Sequence, residues 1–148
     1  MEVLSHDVIV NSLEKCNALP RYQVGFIFSN ARDANIFTQD FLNTFHDDGI
    51  PGVTQIQKLQ GGGRINFKSG STIYILSYSL FCKGRRLHDF FWDEAIEEHH
   101  LSAVLEQYRP MLVRYHGMPI PEIKHSDWTD NIESSALDEF FDSLEVVS

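Results

Sequence analysis

The sequence is short of several things, and each shortage excludes something. Its 148 residues hold only two cysteines, Cys16 and Cys82. Two thiols make neither a disulfide framework nor a four-ligand zinc site, so a reducing cytosol is the default compartment. No apolar run approaches the ~20 residues that span a bilayer, and the residues after Met1 do not form a signal peptide. There is no internal repeat. After residue 125 there is no lysine or arginine at all.

That last absence organises the charge. The formal net charge is −9. Residues 126–148 carry seven acids (Asp127, Asp130, Glu133, Asp138, Glu139, Asp142 and Glu145), so this segment accounts for −7. The first 125 residues hold 14 acids and 12 bases. The chain therefore divides into a nearly neutral body, 1–125, and an acidic tail, 126–148. A hydrophobic fraction of 43% excludes wholesale disorder. The pI of 5.1 argues against a protein that coats nucleic acid, while leaving room for a local basic site on the body.

Periodicity predicts alternating helices and strands. Residues 5–19 read as a helix, with Val8, Ile9, Ser12, Leu13 and Cys16 on one stripe, Ser5 as cap and Pro20 as stop. Residues 22–28 read as a buried strand, and Ser29-Asn30 as a turn. Residues 33–47 read as a second amphipathic helix, with Ile36, Phe37, Phe41, Leu42 and Phe45 inward. Residues 53–59 suggest a strand, and Gly61-Gly62-Gly63 a flexible loop. Residues 64–68 and 71–77 form a hairpin about Ser69-Gly70. Residues 88–92 are a further apolar strand, and 97–113 a helix with Leu101, Val104, Leu105, Tyr108 and Leu112 inward. Beyond His116 the chain is irregular until a helical stripe of Leu137, Phe140, Phe141 and Leu144 inside the tail. The pattern implies an α/β fold in three layers, a mostly parallel sheet with an antiparallel hairpin.

Phe90-Phe91-Trp92-Asp93-Glu94-Ala95 is the feature closest to chemistry. A bulky apolar strand ending in Asp-Glu delivers two carboxylates to the carboxyl end of a sheet, where open α/β sheets bind ligands. In nucleotide hydrolases the first acid holds magnesium through water and the second orients the attacking water. The plain alternative is a strand end followed by a capping acid pair.

Residues 23–95 resemble the ATPase core of phage terminase large subunits and, more loosely, related helicase-type P-loop ATPases. The pieces occur in the family's order. Val24-Gly25-Phe26-Ile27-Phe28-Ser29-Asn30 precedes a helix, and residues 65–77 follow the hairpin form apolar-x-apolar-x-x-Gly-Ser-x-apolar-x-apolar-x-Ser. Lys83-Gly84-Arg85-Arg86 stands where the family has a Gly-Arg loop, and Asp93-Glu94 closes the Walker B strand. The resemblance implies an incomplete P-loop ATPase-like domain acting in viral DNA packaging or DNA translocation, in the host cytoplasm. Asp93 would be the magnesium acid and Glu94 the catalytic acid, with Arg85 and Arg86 as charge-stabilising arginines. Double-stranded DNA would contact Lys83, Arg85 and Arg86, and the partners would be other packaging or replication proteins, with no membrane.

One element of that family is missing. A phosphate-binding loop needs Gly-x-x-x-x-Gly-Lys-Ser/Thr, because backbone amides and a lysine cradle the phosphates. No glycine here satisfies it: Gly63 and Gly84 precede arginine with no Ser or Thr after it. Met1 stands about where the helix after that loop begins in the family, and the coupling strand after Walker B is not recognisable. Mg²⁺ and ATP are thus expected only if a P-loop comes from elsewhere, and the chain is not expected to hydrolyse ATP alone.

Other readings compete. Lys83, Arg85 and Arg86 also suit a plain solvated loop. Glu97, Glu98, His99, His100, His116 and His125 invite a metal site, but no His-x-x-x-His pair exists, and solvated helix-face residues explain them as well. In the tail, Leu137-x-x-Phe140-Phe141 resembles the peptides that dock on sliding clamps, although Ser134 stands where glutamine is usual. The same stripe suits a terminal helix packing on its own domain. The alternative to the ATPase is thus a non-enzymatic adaptor docking a partner through Leu137, Phe140 and Phe141.

Overall fold

A computed structural model describes residues 2–45, 52–59, 61–77, 86–96 and 98–121. The acidic tail, Lys83 and Arg85 lie outside the described residues, as do Cys82 and the docking stripe.

Among them are six strands and three α-helices. β1 is Glu2–Val3, α1 His6–Ala18, β2 Gln23–Phe28, α2 Ala31–Phe45, β3 Val53–Leu59, β4 Gly62–Phe67, β5 Thr72–Ser77, β6 Asp89–Trp92 and α3 Glu98–Tyr108. The strands form one sheet in the order β1-β6-β2-β5-β4-β3. The pairs β1/β6, β6/β2 and β2/β5 are parallel, while β5/β4 and β4/β3 are antiparallel. The fold is thus α/β with a mixed sheet.

The two faces of β2 explain the layers. Val24, Phe26 and Phe28 point into a core shared with Val8, Ile9, Leu13 and Cys16 of α1 and Phe37 and Phe41 of α2. Ile27 points the other way, to Leu87, Phe90, and Val104 and Tyr108 of α3. Helices cover both faces, so residues 24–28 of β2 are all buried and the strand reads as a continuous apolar run. The aromatic contribution concentrates at Phe37, whose ring meets Phe26 edge-on at 6.0 Å and Phe28 at 5.0 Å.

Local chemistry fixes the ends. The Ser5 hydroxyl accepts the Val8 N–H at 3.3 Å and caps α1, as expected for Ser5. The far end of α1 is tied to the β4–β5 turn by serines. The Ser71 hydroxyl accepts the Tyr22 N–H at 2.8 Å and donates to the Leu19 carbonyl, and Ser69 donates to the Cys16 carbonyl. Replacing Ser71 with alanine leaves a buried amide and carbonyl without that partner. We expect Ser71→Ala to cost about 2 kcal/mol in urea denaturation.

Three sequence expectations change. Gly62 and Gly63 are not a flexible loop; they open β4, and only Gly61, at φ 77°, lies in the turn before it. A Cβ on Gly62 would lie 2.0 Å from the Ile75 carbonyl oxygen, and one on Gly63 2.4 Å from Thr38 Cγ2 of α2. These glycines serve close packing, not mobility. The helix expected over 97–113 stops at Tyr108, because Pro110 lacks an N–H and fits only the short 3₁₀ turn Arg109–Met111. Beyond it, Leu112 pairs in parallel with Leu87. β1 was not expected: two residues carry no periodicity. Cys16 is fully buried, and burial pushes its thiol well above the ordinary range.

Candidate functional site

Parallel strands carry their ligand-facing loops at their carboxyl ends, so the ends of β1, β6 and β2 define the first place to look. The Leu4 N–H donates to the Trp92 carbonyl at 2.6 Å, and the Asp93 N–H donates to the Ile27 carbonyl at 2.8 Å. These bonds hold the end of β6 between the ends of its neighbours, which places Asp93 at the middle of that edge.

The two acids then differ in environment. Asp93 is half-buried, and Glu94 is exposed. Burial raises the Asp93 carboxyl above its ordinary value; the Ala95 backbone amide opposes that rise, and the charges of Asp33 and Glu94 add to it. The Ile96 N–H closes the turn onto the Asp93 carbonyl at 3.0 Å. Asp93 is therefore a half-buried carboxylate held in a tight turn, next to an exposed one.

Asp33 comes from the neighbouring strand end. After β2 the chain enters α2 through Ser29 and Asn30. The Asn30 side-chain oxygen accepts the Asp33 N–H at 2.8 Å. In return, Asp33 Oδ2 accepts from the Ser29 hydroxyl at 3.1 Å and from Asn30 Nδ2 at 3.2 Å. This reciprocal cap places a carboxylate on the amino end of α2, where the helix dipole favours it. It also puts a third negative charge in the field of Asp93.

On the other side of β6, two residues, Leu4 and Ser5, link β1 to α1. This is the strand–turn–helix position beside the acid-bearing strand. A phosphate-cradling loop needs about eight residues there. Ser5 is occupied in capping α1, with the Ile9 N–H on its carbonyl at 2.9 Å.

Arg86, the one candidate of the basic loop among the described residues, lies apart from the acids. Arg86, exposed, precedes β6, whereas Asp93 and Glu94 follow it. The length of the strand stands between them. No cluster of three or more His, Cys, Asp or Glu side chains suited to a metal occurs among the described residues. His100 is exposed on α3 and His116 lies beyond it, at the opposite end of β6 from Asp93.

That opposite end holds a grouping that the sequence did not signal. His88, just before β6, stacks on Tyr22, just before β2, with centroids 5.7 Å apart and planes 13° from parallel. Tyr115 meets His88 edge-on at 5.1 Å, and its hydroxyl donates to the Pro20 carbonyl at 2.6 Å. His88 and Tyr115 help line an open cleft of about 330 Å³, together with Leu112, Arg114, Met118 and Ile120. Residues 22, 88 and 115 have no common spacing. Only the parallel pairing of β2 with β6, and of Leu112 with Leu87, brings them together.

No protein-family model, curated protein or solved structure matches the chain. No helix among the described residues is long and apolar enough to cross a membrane.

Proposed function

We propose that this chain is a terminase-like, P-loop-ATPase-type domain that does not turn over ATP by itself. It serves viral DNA packaging or another DNA-translocation task once phosphate-binding groups reach it from another polypeptide. The observation that carries this reading is the acid pair at the carboxyl end of β6, flanked on both sides by parallel strands. There Asp93 would hold Mg²⁺ through water, and Glu94, exposed and hydrated, would orient the water that attacks the terminal phosphate. Lys83, Arg85 and Arg86 would engage DNA phosphates, and Arg86 would do so rather than meet the reacting phosphate, since it sits at the far end of the strand from the acids.

The two-residue link between β1 and α1 supports the lack of independent turnover. It supplies neither the run of amides nor the lysine that phosphates require. The purified chain with ATP and Mg²⁺ should release phosphate no faster than buffer. A rate that Glu94→Gln abolishes would overturn the proposal.

A second reading rests on the same turn. The backbone amide of Ala95 is bonded to the Asp93 carboxylate, and Ser5 is bonded to α1, so both of these groups already have partners. On that reading the scaffold is a non-enzymatic adaptor that recruits a partner through Leu137, Phe140 and Phe141. Loss of a captured partner on Phe140→Ala with Phe141→Ala, at unchanged melting temperature, would favour it.

A further inference from the structure

The Gln23 N–H donates to His88 Nδ1 at 2.9 Å. An amide donor requires a bare nitrogen, so Nδ1 carries no proton, and the proton of the neutral ring is on Nε2. The His88 N–H in turn donates to the Gln23 carbonyl at 2.8 Å. One histidine thus pairs twice with the first residue of β2, once through its backbone and once through its ring.

The same ring supports the segment 112–121. Tyr115 sits against it edge-on, and against Tyr22 at 6.0 Å. The backbone of the segment is pinned next door: the Leu87 N–H donates to the Met111 carbonyl at 3.0 Å, and the Val113 N–H to the Leu87 carbonyl at 2.8 Å. A tight turn follows, with His116 at φ 47° and Gly117 at φ 77°, closed by the Met118 N–H on the Tyr115 carbonyl at 2.8 Å. That turn returns the His116 ring to 6.4 Å from His88 and sets its Nε2 3.3 Å from the Pro20 carbonyl.

We propose that His88 is a pH-sensitive latch: neutral, it ties the strap of residues 112–121 to the amino ends of β2 and β6, and protonated, it lets the strap go. A proton on Nδ1 turns an acceptor into a donor facing the Gln23 N–H. That contact is then repulsive, and the ring must turn or leave. Leaving removes the surface on which Tyr115 rests and opens the cleft that the strap walls.

The surroundings favour the neutral ring. Burial, and then His116, hold the His88 imidazole below its ordinary value. The titratable and charged groups around it are Tyr22 and, through Tyr22, Cys16; Asp89, next in β6; Tyr115 and His116 of the strap; and Arg114 in the cleft lining. Burial keeps Tyr22, Tyr115 and Cys16 uncharged. With the folded value below the unfolded one, the contribution of His88 to stability is complete above the unfolded value. It is lost as pH falls through the folded one.

Amide hydrogen exchange on the full chain tests this, with protection compared at about pH 7 and about pH 5 after correction for intrinsic rates. The Gln23, Val113 and Met118 amides should lose protection several-fold at the lower pH, while the Asp93 amide, bonded to Ile27, keeps its own. His88→Asn offers an acceptor near the Nδ1 position that does not titrate, so its strap should stay protected at both values. A strap whose protection is equal at both pH values in the wild type, or that still opens in His88→Asn, overturns the latch. If His88→Asn does not fold, the ring ¹⁵N signals of the wild type decide. A His88 ring that titrates while the strap amides keep their protection also overturns it.

Discussion

Gly62→Val should be among the most damaging single changes in the chain, lowering stability by about 3 kcal/mol and the melting temperature by about 10 °C. The argument is steric. Any Cβ at this position would sit 2.0 Å from the Ile75 carbonyl oxygen and 3.1 Å from its carbon. Both atoms are backbone, and they belong to β5, whose own bonds to β2 run the full length of that strand. β5 cannot retreat without loosening the parallel centre of the sheet. Gly63→Ala should be milder, because the obstacle there is chiefly the side chain of Thr38. That side chain still has limited freedom, since its hydroxyl donates to the Ala34 carbonyl at 2.9 Å. Thermal denaturation followed by circular dichroism ranks the two. Equal melting temperatures for Gly62→Val and wild type would mean that β4 does not approach β5 in this way.

Those glycines mark where the sequence stopped being legible. Composition presents Gly61-Gly62-Gly63 as a run without side chains, and such runs are loops more often than strands. What makes Gly62 and Gly63 part of a strand is the approach of β5 and α2, which no local pattern carries. Elements with a one-sided or fully buried periodicity were legible. α1 has its stripe and its Ser5 cap, and β2 has its apolar run. The β4–β5 hairpin has its Ser-Gly turn, with the Gly70 N–H on the Phe67 carbonyl at 2.9 Å. The placement of Asp93 and Glu94 beyond β6 was legible for the same reason, because an apolar strand that ends abruptly exposes whatever follows it. Arg86 shows the converse. The family resemblance made it a charge-stabilising arginine beside the acids, but an extended strand carries its two flanks to opposite ends. The His88 grouping was illegible because it depends on strand order. Tyr22 and His88 meet only because β2 and β6, 65 residues apart at the Gln23–His88 bond, lie side by side.

Asp93→Asn should separate a functional acid from a merely capping one, because the two roles predict opposite signs. Burial raises the Asp93 carboxyl in the folded state above its ordinary value. A group with a raised folded value stabilises fully only below its unfolded value. That contribution is lost as pH rises through the folded one. Ionising Asp93 therefore costs the fold stability, because its surroundings, with Asp33 and Glu94 nearby, prefer a neutral group. Asparagine keeps an oxygen for the Ala95 amide and removes the charge. Asp93→Asn should melt higher than wild type at about pH 7, and the gap should close as pH falls toward about 4. In the presence of a complementing polypeptide, the same variant should lose Mg²⁺-dependent ATP turnover by about 10²–10³-fold. Stability gained where activity is lost is the signature of a residue kept for chemistry at the expense of the fold. If Asp93→Asn instead melts lower at neutral pH, the carboxylate is worth more as a cap for the turn after β6 than it costs as a half-buried charge. The adaptor reading of the scaffold then gains over the ATPase.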